Sequence, residues 1–128
     1  MKIKIIRSWR RRKTIRLRRR PDTDQKLEKR AHTFNKKYFQ GSLSWRRVYY
    51  SPNQNACMFG NCNTKNKTIR ISDRLLKMPK FVRDYVLIHE LAHLKIAKHG
   101  SEFWKLVNRY PKTERARGYL MAVANKNI

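Results

Sequence analysis

Apolar and polar residues alternate with a two-residue period in Lys2-Ile3-Lys4-Ile5 and again in Thr14-Ile15-Arg16-Leu17-Arg18, the signature of half-buried strands. A short hairpin and an extended arm both satisfy it. The pattern then changes to helical spacing: Leu27, Ala31, Phe34, Tyr38 and Phe39 recur three to four residues apart, after Asp22 or Thr23 as a cap and before Gly41 as a stop. Strands are expected over Trp45 to Tyr50 and Ala56 to Cys62. The turn-rich Asn63 to Lys67 joins the second of these to Thr68-Ile69-Arg70-Ile71 as an antiparallel hairpin. Pro79 opens a strongly apolar helix from about Lys80 to Lys98 with Gly100 as its terminator. A shorter helix holds Phe103, Trp104, Leu106 and Val107, and a last one holds Tyr119, Leu120 and Val123. The expected class is α+β, a small antiparallel sheet packed on a helical layer.

Charge alters this picture. The 128 residues contain 33 Lys and Arg against 8 Asp and Glu, a formal net charge of +25. Residues 1–20 hold basic groups and no acidic ones, so they read as a basic arm, with residues 21–128 as one domain. Nucleic acid is the expected acidic partner: Arg10, Arg11, Arg12, Lys13, Arg16, Arg18, Arg19 and Arg20 can contact phosphates while Trp9 stacks on a base. The bland alternative is a solvated arm. With 40% hydrophobic residues the chain can still bury a core, unlike a disordered tail. No apolar run approaches the ~18 residues that span a bilayer, no secretory signal is visible, and sparse Ser and Ala argue against a transit peptide. Two cysteines, Cys57 and Cys62, are too few for a disulfide framework and read as packing residues. A cytoplasmic monomer is expected.

The chemistry lies in the long helix, where His89-Glu90-Leu91-Ala92-His93 forms the pattern H-E-x-x-H. Residues four apart share a helix face, so two imidazoles can converge on one ion. His99, followed by Gly100, supplies a third ligand if the glycine lets the chain turn back. Three protein ligands to Zn2+ leave a fourth position for water, whose pKa the ion lowers toward ~7. Glu90 stands beside that position as general base. Burying these polar groups among Tyr85-Val86-Leu87-Ile88 and Leu94 would be costly without an ion. Glu102 is a rival third ligand, and His32 reads as an ordinary helix histidine.

From Tyr49 to Tyr119 the sequence resembles the YgjP-like metallopeptidase domain, related to SprT-like zinc proteases. The resemblance rests on Ile69-Arg70-Ile71-Ser72-Asp73-Arg74-Leu75, Met78-Pro79, Asp84 through Leu94, His99-Gly100-Ser101-Glu102-Phe103-Trp104 and Tyr110 through Leu120. It implies a zinc peptidase with ligands His89, His93 and His99, Glu90 as catalytic acid or base, and a strand between Ala56 and Cys62 that pairs with an extended polypeptide substrate. Phe59-Gly60-Asn61-Cys62 replaces the family's usual Trp-Gly-Ser-Cys, and the larger N-terminal β region of the family is largely missing. Tyr110, Tyr119, Arg115 and Asn61 are candidates for stabilising the tetrahedral intermediate. Two rival functions remain open at this level, a metal-dependent phosphoanhydride hydrolase and a basic nucleic-acid-binding module with little catalysis.

Overall fold

The computed structural model describes residues 22–52 and 58–124. The basic arm, Cys57 and the first residues of the segment expected as a strand from Ala56 therefore lie outside the described residues.

Helix α1 spans Asp24–Tyr38. Thr23 caps it, its side-chain oxygen accepting from the Lys26 N–H, and Asp24 stands at the positive end of the dipole. Leu27, Ala31 and Tyr38 face the core, as their spacing requires, and the chain leaves the helix through left-handed Gln40 and Gly41. Three strands follow, β1 (Arg47–Ser51), β2 (Gly60–Asn63) and β3 (Thr68–Ser72), in the order β1-β3-β2. The expected β2–β3 hairpin is antiparallel, with Cys62 opposite Ile69. β1 runs parallel to β3, with Val48 opposite Ile69, so the sheet is mixed and not wholly antiparallel as expected. The α+β class stands, and β2 begins only at Gly60, Met58 being irregular and Phe59 forming a bend before it.

A 3-10 turn over Asp73–Lys77 leads to helix α2, Lys80–His93, which opens after Pro79. From Val82 to Ala92 every residue of α2 is buried, the mark of a central helix enclosed on all sides. It packs against β2, β3 and α1, and against two further helices, α3 (Ser101–Val107) and α4 (Thr113–Ala124). The expected continuation of α2 to Lys98 does not occur. The helix stops at His93, the Lys95 and Ile96 N–H groups both closing onto the Ala92 carbonyl, and residues 94–99 fold back along its end. Gly100 is thus not a terminator but the residue that starts α3, and its φ of −93° is open to any residue.

One polar cluster joins the layers. Arg30 of α1 donates to both oxygens of Asp22, at 2.8 and 2.6 Å, and through Nε to Asp84 of α2 at 3.0 Å. The Tyr50 hydroxyl of β1 donates to Asp22 as well, and the Tyr50 N–H donates to Asp24 at 2.8 Å. Burial pushes Asp22 upward, but the bonds from Arg30 and Tyr50 outweigh it and hold the carboxyl below its ordinary value. Among the described residues no helix is long and apolar enough to cross a membrane.

Candidate metal centre

The last turn of α2 and the return segment bring His89, His93 and His99 together, with one nitrogen of each ring within 4.8 Å of the others. His93 Nε2 lies 3.3 Å from His89 Nε2 and 2.8 Å from His99 Nε2. His93 Nδ1 is 3.1 Å from the Ile96 carbonyl, which can only accept, so Nδ1 carries the proton and Nε2 turns a lone pair toward its two neighbours. Zinc–nitrogen bonds of about 2.0–2.1 Å place tetrahedral ligand atoms roughly 3.3 Å apart. Spacing and donor set therefore fit zinc. The early end of α2 is what makes the third ring available: continuing the helix would carry His99 along the axis and away from His93.

Burial favours the neutral form of His89 and His93, and aromatic rings surround the group. Phe103 stacks on His93 at 4.4 Å between centroids and touches the rings of His89 and His99, while half-buried Trp104 borders the cleft beside them. The His89 pKa is lowered to about 3 by burial, then by the neighbouring His93 and His99 and by the Arg117 cation. His93 is lowered as well, by burial first. The Tyr85 hydroxyl, one turn before His89, lies 3.2 Å from its Nδ1 and fixes the ring from behind.

Glu90 stands beside the histidines in the wall of a cleft of about 720 Å³. It is 7% exposed, and burial pushes its carboxyl up to about 8. β2 lies over it: a Cβ built on Gly60 would stand 3.0 Å from both Cγ and Oε2 of Glu90 and 3.1 Å from Val86. Glycine lets the strand approach this closely without pushing either side chain aside. Cys62 faces the same cleft, its thiol pushed up to about 11 by burial and by the Glu90 charge. It packs as expected.

Of the other candidates, Asn61 lines the cleft. Tyr110 does not, because its hydroxyl donates to the Phe81 carbonyl at 3.1 Å. Tyr119 packs edge-on against Phe81 and the Arg115 guanidinium covers the same ring, so neither serves the site. Glu102 is exposed and outside the histidine group, and His32 packs on Trp45 at 4.6 Å. Arg10, Arg11, Arg12, Lys13, Arg16, Arg18, Arg19 and Arg20 lie outside the described residues. Sequence reasoning missed Arg117 of α4, which borders the cleft. Helical spacing separates Arg115 from Arg117 by about 200°, but nothing local says which side meets the site.

The chain matches the family described as YgjP-like, metallopeptidase domain, over residues 7–122. It is 34% identical over 90 residues to the DNA-dependent metalloprotease SPRTN of Danio rerio, covering 59% of this chain and 14% of that relative's length. Two solved metallopeptidase zymogens share the fold. Abylysin of Pyrococcus abyssi aligns with a TM-score of 0.66 at 23% identity, over 80% of this chain and 98% of that one. Jannalysin of Methanocaldococcus jannaschii gives 0.63 at 17%, over 75% and 94%. With a family match that covers most of its length and three imidazoles gathered at the end of an H-E-x-x-H helix, the chain belongs to the YgjP-like metallopeptidase domain family.

Proposed function

We propose that the chain is a zinc peptidase that cleaves extended polypeptides, with His89, His93 and His99 as the metal ligands and Glu90 as the general base. The observation that carries this reading is the convergence of three ring nitrogens beside a buried carboxylate in an open cleft. Zinc held there would supply Lewis acidity to the hydrolytic water and the scissile carbonyl. Glu90 takes the proton from that water and delivers it to the departing amide nitrogen. β2 sits at the sheet edge beside the cleft, so its unpaired side can bind substrate backbone as an added strand. The test is proteolysis of an unfolded polypeptide by full-length protein. Activity should vanish with a chelator and return with one equivalent of zinc. If nucleoside triphosphates are cleaved while polypeptides stay intact, the centre is a phosphoanhydride hydrolase.

Two neighbours of the site should tune it. Tyr85→Phe removes the hydroxyl behind His89, and zinc affinity measured by chelator competition should fall about 10–100-fold. Unchanged affinity would show that the hydroxyl orients nothing. Gly60→Ala forces a methyl against Glu90. Zinc content should stay at one per chain while turnover drops, by less than the ~10²-fold that a 1 Å misplacement costs, because contacts of 3.0 and 3.1 Å oblige Glu90 and Val86 to give way only slightly.

Nucleic acid belongs to the same reading as the place of action, in the cytoplasm. The +25 charge supports it, as does similarity to a relative named for DNA dependence. A groove of about 390 Å³ on the outer sheet face adds described residues to the arm: Arg46, Arg47 and Arg70 border it with Tyr49 and Asn61, and no carboxylate does. Binding should fall steeply with salt and weaken when residues 1–20 are removed, with metal content unchanged. Salt-insensitive binding would exclude phosphate contacts.

A further inference from the structure

The chain carries 33 Lys and Arg, yet Arg117 is the one such residue among the described residues that line the metal cleft. It is also restrained on two sides. Its guanidinium carbon lies 4.2 Å from the centre of the Trp104 ring, and Nη1 is 3.2 Å from Glu114 Oε1. Trp104 in turn stands 5.9 and 5.8 Å, ring to ring, from His89 and His99. A cation stacked on that indole therefore borders the same space as the histidines, and Glu90 occupies the wall beneath Gly60.

We propose that Arg117 is a catalytic residue, whose guanidinium donates hydrogen bonds to the scissile carbonyl oxygen as that oxygen becomes negative. The proposal rests on the peptidase reading above. As the water oxygen bonds to the carbonyl carbon, Glu90 takes a proton and the C=O electron pair moves onto oxygen, where Arg117 holds it. The pair then returns to re-form the carbonyl, the C–N bond breaks, and the proton held by Glu90 passes to the leaving nitrogen. The products are a carboxylic acid and an amine, with no other reactant consumed. A cationic planar fork suits this task because it presents two donors in fixed directions. Trp104 backs the guanidinium, and exposed Glu114 holds it through Nη1.

The experiment compares zinc-loaded full-length wild type with Arg117→Gln, Arg117→Lys and Arg117→Ala on one peptide substrate and on a phosphinic analogue of its tetrahedral intermediate. Removing such a donor should lower kcat about 10²–10³-fold, with zinc content intact and KM within about threefold. Affinity for the analogue should fall in proportion to kcat/KM. Added guanidinium ion should restore part of the turnover of Arg117→Ala, which a merely structural arginine would not allow. Unchanged kcat in Arg117→Gln overturns the assignment and leaves the peptidase reading intact, as does a lost kcat with unaltered analogue affinity and no rescue. A zinc-loaded wild type that cleaves no peptide overturns both.

Discussion

Glu90→Gln is expected to bind one zinc per chain and to hydrolyse peptides about 10²–10⁴-fold more slowly than wild type, the range that a positioned general base contributes. The amide keeps the size of the carboxyl group beneath Gly60. It leaves the three imidazoles untouched, since their orientation comes from Phe103, Tyr85 and the Ile96 carbonyl. What it removes is the capacity to accept a proton. The folded protein should not suffer, because a carboxyl that burial drives up to about 8 gains nothing for stability from its charge. Metal analysis, thermal melting and turnover on the same preparation check all three expectations. Full activity in this variant would exclude Glu90 as the base.

Asp22→Asn is the second large effect, and it concerns stability. Asp22 is 1% exposed and accepts from two nitrogens of Arg30 and from Tyr50, so the amide leaves a half-buried guanidinium short of its anionic partner. Breaking a buried pair typically costs about 3–5 kcal/mol. Asp84 still holds Arg30 Nε, which places the expected loss near the lower end, about 3 kcal/mol. The pH dependence has a definite sign. The folded-state pKa of Asp22 lies below its ordinary 3.8, so this stabilisation is fully present above about pH 4 and is lost as pH falls through the folded value. Urea unfolding of the metal-free protein should therefore show the full gap between wild type and variant at pH 7 and a closing gap below pH 4. A gap under 1 kcal/mol at pH 7, or one of equal size at pH 3, would contradict the pairing.

The pairing of His89 with His93 was legible because its information is local: four-residue spacing on a helix fixes a shared face whatever surrounds it. The end of that helix was not. Lys95, Ala97 and Lys98 are good helix formers, and only the return of His99 toward His93 reveals that tertiary closure overrides their propensity. The parallel pairing of β1 with β3 escaped for a similar reason, since it joins segments about twenty residues apart and alternation along a strand does not specify its neighbour. Gly60 carried a readable signal, because a glycine within a strand marks close approach, but the partner, Glu90, is thirty residues away. Gly100 misled in the opposite direction, its backbone being ordinary.

The return segment also bears on how the centre assembles. His89, His93 and His99 lie within eleven consecutive residues, so bringing them together closes two short loops and requires almost none of the slow, distant pairing that the sheet demands. A cation held by these three rings would therefore be a clasp on its own stretch of chain rather than a rivet through the whole domain.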